Sequence, residues 1–497
     1  MKKRCNFIYK TTALGLSAAM ILSLSGCGAS ATADKGTKKP DSKNPVTITI
    51  WNYYNGDQLA AFETLIDEFN STEGADKGIV AVTVSQGDIQ TLANSLLDSI
   101  NGKAGAQETP TLAAVYSETA FILEQSQALA PFDSYFTEDE LSAYVPGFID
   151  EGRFNANNDL LLFPVSKSTE MFTANETDWA PFAADTGITL ESLNTKEDLT
   201  AAAKSYYEWT DAQTPDVPND GKALYGRDSM GNYIYIGCFQ LGHELFHVDH
   251  GELTVDLDRD TFKTLWDNYY IPYINGYFGS YAKFRSEDCK TGKILALTSS
   301  SSSVTYLPDT VTLEDDTTHD IKIYERPSLK FADATQDAVV QQGASYCMLK
   351  SDPEVMEGAV EFLKWFTSPE RNLTFSVMSG YSPVTVVSNT RDAITKAYEA
   401  NHDIAGKETV LDSVLNSADM FSEKTAYATK PFDGSKSVRA ILDTILQDKA
   451  DEDRAAVLAA LEQGASLDEA TAEFSTDEYF DTWFADLSAQ VHDAIKK

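Results

Sequence analysis

His243 and His247 stand four residues apart with Glu244 beside the first, the H-E-x-x-H spelling of a zinc peptidase. On a helix that spacing puts both imidazoles on one face to hold Zn²⁺, and the Glu acts as general base. The sequence does not supply the helix. Val248-Asp249-His250-Gly251 follows at once, and Leu253-Thr-Val-Asp-Leu257 then alternates like a strand. The expectation is a strand-turn-strand with solvated His, so no metal is assigned. A secreted zinc peptidase through His243, Glu244 and His247 remains the alternative from another class. A glycosidase would need paired carboxyls roughly 5–10 Å apart, which spacing in sequence does not establish. No phosphate loop, G-x-S-x-G or dinucleotide fingerprint stands out, so neither catalysis nor a cofactor is assigned.

Other residues suit recognition without catalysis. Ser299-Ser-Ser-Ser-Ser303 follows the strand-like Lys293-Ile-Leu-Ala-Leu-Thr298, which places Ser299, Ser300 and Ser301 at a strand's carboxyl end. Ligands of open α/β sheets bind there. Sugar rings have apolar faces, which aromatic side chains cover, and hydroxyl edges, which Asp, Glu, Asn, Ser and Arg bond. Trp51, Tyr53, Tyr54, Tyr116, Tyr233 and Tyr381 fall at loop or strand-end positions, and Glu118, Ser168, Glu170 and Asn232 are polar candidates beside them. Arg439 closes Gly434-Ser-Lys-Ser-Val-Arg439 before a helix expected over Ala440 to Gln447. Its guanidinium can bond a phosphate bidentately or bridge two hydroxyls.

The elements that must hold these residues alternate. Val46-Thr-Ile-Thr-Ile-Trp51 reads as a strand, Asn52–Gly56 as a turn, and Asp57 as the cap of a helix with Leu59, Phe62, Leu65, Ile66 and Phe69 on one face. Ile79–Val84 and Thr111–Tyr116 are further strands; helices follow from Asp88 to Ile100 and after Tyr116 through Gln125. Such alternation predicts a parallel sheet with helices on both faces. Trp179 to Thr210 reads as mostly helical, with a capping box at Thr195-Lys-Glu-Asp198. Helices are also expected over Arg259 to Tyr273 and Glu354 to Thr367, with two separate ones over Asp451 to Gln463 and Thr476 to Lys496.

Charge and composition narrow the partners. The 497 residues are 42% hydrophobic, enough for a large core, and carry a net charge of −37. That charge opposes nucleic acid and adhesion to an anionic membrane surface. Cys238, Cys289 and Cys347 show no metal spacing and read as buried free thiols, with one disulfide allowed. At the N-terminus, Met1-Lys-Lys-Arg4 precedes an apolar run from Thr11 to Ser25 that is too short to span a membrane comfortably, which reads as a cleaved signal. Leu24-Ser-Gly-Cys27 then resembles the lipobox of bacterial lipoproteins. The resemblance implies cleavage before Cys27 and acylation, palmitate among the chains, at that residue. The expected organisation is a signal peptide over 1–26, a lipidated flexible tether over 27–44, and a binding domain over 45–497.

The binding domain resembles the carbohydrate-type solute-binding proteins of bacterial ABC importers. Thr47-Ile-Thr-Ile-Trp-Asn52, Pro110–Tyr116, Phe163-Pro-Val-Ser-Lys-Ser-Thr-Glu170, Gly242-His-Glu-Leu-Phe246, Gly343-Ala-Ser-Tyr346, Phe366-Thr-Ser-Pro369 and Ser379-Gly-Tyr-Ser-Pro383 carry the likeness. It implies two discontinuous α/β lobes around a ligand cleft. The chain crosses near Phe163 to Thr169, returns near Tyr324 to Gln342, and crosses again near Tyr381. It also implies a monomer that captures a carbohydrate at the cell surface and delivers it to membrane permease subunits. A subgroup that binds glycerol phosphate and its diesters is similar at Ser168, at one of Ser299–Ser301, at Gln342 or Gly343, at Tyr381 and at Arg439. The chain departs from it around Ile89 and around Gly231-Asn-Tyr233.

Overall fold

The computed structural model describes residue 40, residues 42–249 and residues 252–496. The signal peptide, Cys27 and most of the expected tether lie outside the described residues.

Strand β1 (Val46–Asn52) buries Ile48 and Ile50 and pairs in parallel with β2 (Ile79–Ser85). Between them α1 (Gly56–Ser71) packs Phe62, Leu65, Ile66 and Phe69 against the sheet. The helix begins one residue before the expected cap, so Asp57 lies in its first turn, where a carboxylate complements the helix dipole. Helix α2 (Ile89–Ile100) starts as expected, with the Asp88 side chain accepting from Thr91 N. Then come β3 (Leu112–Val115), buried throughout beside β1, and α3 (Ser117–Gln125).

The chain crosses at residues 163–168. Phe163 pairs with Tyr346, Lys167 with Ser382 and Ser168 with Gln342, so the first crossing lies against two later passes of the chain. Beyond it, β4 (Glu170–Asn175), α4 (Glu176–Thr186), α5 (Lys196–Asp211), β5 (Tyr225–Arg227) and α6 (Met230–Gln240) build the second lobe. The capping box at Thr195 and Asp198 is present. The zinc-like motif leads from a turn into a strand pair of β6 (Phe246–Asp249) and β7 (Glu252–Val255), with His243 and Glu244 before β6 and His247 within it. His243 Nδ1 pairs with Asp256 at 2.9 Å and His247 Nδ1 with Glu244 at 2.6 Å, so the two imidazoles share no helical face. The helix expected over Arg259 to Tyr273 is two: α7 (Arg259–Asp267) and α8 (Tyr270–Ile274). Pro272 explains the break, since its ring collides with the carbonyl four residues back, at Asn268. Strand β8 (Ala296–Ser300) runs into a 3₁₀ turn (Ser301–Tyr306), and β9 (Ile323–Pro327) completes a sheet of order β9-β4-β8-β5.

The chain returns through β10 (Ala338–Val340) to β11 (Ser345–Met348). Ser345 pairs with Val115, the last residue of β3, so β11 enters the first sheet from the crossing end and runs antiparallel. Likewise β4 starts opposite Ser300, the last residue of β8. Both sheets are therefore mixed rather than wholly parallel, because a strand that begins at the crossing must run against strands that end there. Helices α9 (Pro353–Phe366) and α10 (Pro369–Ser379) then close the first core. Helix α11 (Glu408–Glu423), β12 (Thr425–Tyr427) paired with β10, α12 (Ser435–Glu462) and α13 (Asp477–Ile495) follow. The sequence suggested separate helices within 440–463; α12 runs 28 residues unbroken, burying Val438, Leu442, Leu446, Ala450 and Val457 along one face with no Gly or Pro to interrupt them.

Each lobe has its own core. One gathers Ile50, Phe62, Phe69, Phe163, Phe362 and Phe366. The other gathers Phe172, Trp179, Ile234, Trp266, Tyr270 and Trp483. Cys238, Cys289 and Cys347 are free and buried; burial pushes the Cys347 thiol up to about 12.

Candidate functional site

A cavity of about 570 Å³ is walled by both lobes and by the strands that join them. From the first lobe come Gln90, at the start of α2, and Tyr116 to Thr119, at the start of α3. Lys436, Arg439, Ala440, Asp443 and Thr444 of α12 recur at three- and four-residue steps, so one stripe of that helix lines the opposite wall. Asn232 and Tyr235 of α6 stand three apart for the same reason. Gln341, Gln342 and Tyr427 contribute from the joining strands. Neither α3 nor α12 has a side-chain N-cap, and residues of the first turn of each helix line the cavity. Gly434 starts α12 at φ +84, and a Cβ there would lie 2.4 Å from Ala494 O, so glycine lets α12 begin tight against the end of α13.

Arg439 Nε donates to both Asp443 oxygens at 3.0 Å, and its Nη2 donates to Ser229 Oγ at 3.2 Å. Its guanidinium lies over the Tyr235 ring at 5.6 Å. Gly231 N donates to Asp443 at 3.1 Å, and a Cβ on Gly231 would come within 2.4 Å of Asp443 Oδ1. Glu151 accepts from the fully buried Lys167 and from Gln341 Nε2, the latter at 2.8 Å. Lys167 also donates to Gly343 O and Ser345 Oγ, tying the cavity wall to the crossing strands. Asn232 Nδ2 donates to Gln342 Oε1 at 2.7 Å and to Glu170 Oε1 at 3.2 Å. Burial raises the Glu118 carboxyl, and Arg439 opposes that rise; burial lowers the Lys436 ammonium, and Glu118 opposes that fall.

Of the residues singled out in sequence, Tyr116, Glu118, Asn232, Gln342 and Arg439 come together on the wall. Ser168 and Gly343 lie in the adjoining strands: Ser168 N donates to Gln342 O at 2.9 Å, and Gly343, at φ +94, passes so close to the first crossing that a Cβ would sit 3.1 Å from Lys167 Cα. Glu170 touches the wall only through Asn232; it is buried against Arg227, whose Nη2 donates to it at 2.9 and 3.0 Å. Tyr53 and Tyr381 meet hydroxyl to hydroxyl at 3.0 Å off the wall, where Tyr53 accepts from Ala344 N. Trp51 and Tyr54 turn into the first core and Tyr233 into the second, where its hydroxyl donates to Leu265 O. Ser299 is buried in β8, Ser300 meets Ser302, and Ser301 Oγ accepts from Thr169 N, so these serines brace the crossing instead of lining the cavity.

Sequence reasoning passed over Gln90, Glu151, Tyr235, Gln341, Tyr427, Lys436 and Asp443. For Tyr235, Lys436 and Asp443 a signal existed, the helical spacing to Asn232 and Arg439. Glu151 follows a single-turn helix (Pro146–Asp150) and has no such periodic signal.

Two mixed α/β lobes joined by adjacent crossing strands, with a cavity lined from both, define a two-lobed binding protein of the periplasmic type. Residues 64–405 match the model of the bacterial extracellular solute-binding proteins, and the chain belongs to that family. It is therefore a binding protein that works outside the cytoplasm, not an enzyme. Among solved structures it is similar to the cyclic α-maltosyl-1,6-maltose binding protein of Arthrobacter globiformis, at 16% identity over 90% of this chain and 100% of that one, with a TM-score of 0.60. UgpB of Mycobacterium tuberculosis, in complex with glycerophosphocholine, shares 16% identity over 91% of this chain and 100% of its own, with a TM-score of 0.62. The maltose/maltodextrin-binding domain MalE of Bdellovibrio bacteriovorus, bound to maltotriose, shares 13% identity over 91% and 100%, with a TM-score of 0.60. These likenesses are of fold. Comparison with curated proteins gave no match. No described helix is long and apolar enough to cross a membrane.

Proposed function

We propose that this chain is the lipid-anchored substrate-binding component of an ABC importer, and that its solute is a carbohydrate. One observation carries the ligand class. The wall mixes donors and acceptors, from amides, hydroxyls, carboxylates and two cations, around Tyr116, Tyr235 and Tyr427. Hydroxyls donate and accept at once, so a sugar engages both kinds of group while its ring faces meet the aromatic ones. A phosphate fits this wall less well. Three carboxylates face two cations, and Arg439 already spends its Nε on Asp443.

The lobes close on the sugar, and the permease recognises the closed form. Residues 1–26 serve as the signal peptide, Cys27 carries the lipid, and residues 28–44 tether the domain with an r.m.s. reach of about 20–25 Å. The test of ligand class is a thermal-shift screen of mono- and oligosaccharides beside glycerol phosphates. A ligand at 100 times its Kd adds about 2.7 kcal/mol. Shifts by sugars alone support the reading. Shifts by glycerol phosphates alone, abolished in Arg439→Ala, overturn it. Mass spectrometry of the mature N-terminus tests the anchor: an unacylated chain starting anywhere but Cys27 refutes it.

A further inference from the structure

The charges on the cavity wall do not all belong to one another. Five charged side chains line it: Glu118, Glu151, Asp443, Lys436 and Arg439. Arg439 and Asp443 are bonded to each other along α12. Glu151 is bonded to buried Lys167 behind the wall. Two groups remain. Glu118, on α3 of the first lobe, has its own backbone N–H as its hydrogen-bond donor and feels Arg439 across the cavity without an ion pair to it; Lys436, on α12 of the second lobe, has no ion-pair or hydrogen-bond partner among the described residues. They are opposite in sign, stand on opposite lobes and line the same cavity; Glu118 holds the Lys436 ammonium up against its partial burial, and Arg439 is the cation that opposes the rise of the Glu118 carboxyl. Both are half-buried, and partial burial penalises a charge, so each is stabilised by a polar partner placed between them.

We propose that Glu118 and Lys436 are a charge-selecting pair, which restricts the cavity to solutes of zero net charge that bridge the two lobes. This rests on the binding role assigned to the cavity and sharpens its ligand class. A neutral polyol donates a hydroxyl to Glu118 and accepts from Lys436, leaving the balance of the wall intact. A solute with one carboxylate gains Lys436 but sets a second anion against Glu118. A solute with one amine does the reverse against Lys436. Like charges brought together in such a site weaken binding by about 100-fold. Because the two side chains belong to different lobes, a solute that satisfies both also draws the lobes together.

The experiment uses the full chain and three panels of di- and trisaccharides matched in size: neutral, bearing one carboxylate, and bearing one amine. Kd values are measured by calorimetry for the parent, Glu118→Gln, Lys436→Met and the double variant, with unliganded melting checked for each. The expected parent binds the neutral panel best. Glu118→Gln gains affinity for carboxylate probes by about 100-fold relative to neutral ones, Lys436→Met does so for amine probes, and the double variant loses the discrimination. If no saccharide of any charge binds, the carbohydrate reading falls, and the same four proteins are titrated with zwitterionic glycerophosphocholine against anionic glycerol 3-phosphate. There the parent must prefer the zwitterion and Glu118→Gln must lose that preference. Parent and variants that rank the probes alike, or that bind none of them, overturn the proposal.

Discussion

Glu325 offers the sharpest quantitative test of the joining region. It sits on β9 directly opposite Thr173 of β4. Its Oε1 lies 3.3 Å from Ser413 Oγ of α11, while its Oε2 and Thr173 Oγ1 are both enclosed without a hydrogen-bond partner. Burial, helped by nearby Asp412, pushes the carboxyl up from 4.5 to about 8. The folded chain therefore holds this proton more tightly than the unfolded chain. Its stabilising contribution is complete below the unfolded pKa near 4.5 and is lost as pH rises towards about 8. At about 1.4 kcal/mol per pH unit, the loss across that window is on the order of 4–5 kcal/mol. Glu325→Gln removes the titration and keeps the shape. The expected result is equal stability of parent and variant near pH 5 and a variant more stable by several kcal/mol at pH 8. Scanning calorimetry of both proteins at half-unit steps from pH 5 to 9 measures the difference curve, in which every other titrating group cancels. A flat difference would show that Glu325 is solvated or paired in the native state, and the argument from its burial would fail.

Other substitutions probe the site and its supports. Gly343→Ala forces a side chain into a φ +94 conformation 3.1 Å from Lys167 Cα, and should cost about 1–3 kcal/mol of stability in denaturant melts. Gly231→Ala drives a Cβ into Asp443 and Arg439; ligand affinity by calorimetry should fall at least about tenfold, a 1.4 kcal/mol loss, with the fold retained by circular dichroism. Arg227→Met leaves the buried Glu170 carboxylate with Asn232 as its remaining side-chain donor, so stability should drop by about 3–5 kcal/mol in denaturant melts at pH 7.

Local patterns in the sequence carried much of the fold and less of the site. The alternation from Val46 to Trp51 and the Asp88 cap fixed a strand and a helix because each depends on neighbours in the chain. The break at Pro272 follows equally local sterics, and the sequence held that information although a single helix was expected there. The direction of β11 was not readable: it depends on the chain re-entering the first lobe at the carboxyl end of β3, a property of the path between lobes. The same distinction separates the candidate residues. Tyr116, Glu118 and Arg439 sit at or within the first two turns of helices that follow a strand end, and those turns open on the cavity. Trp51, Tyr54 and Tyr233 have equally suggestive positions, yet the rotation of the strand or helix takes each ring into a core. Nothing within their own segments sets that rotation. Glu151 reaches the wall because buried Lys167 holds it there, a partner sixteen residues away across the crossing.

The length of α12 has a mechanical consequence. Its 28 residues make a rod about 42 Å long at 1.5 Å per residue. The first turns touch whatever fills the cavity, while the apolar stripe from Val438 to Val457 fastens the shaft to the second core and Arg454, near the far end, donates to Ile274 O. The rod and its lobe therefore move as one lever with its short arm at the ligand. A tilt of about 5° at that end carries the distal end through roughly 4 Å, a displacement large enough for another protein to read without touching the solute.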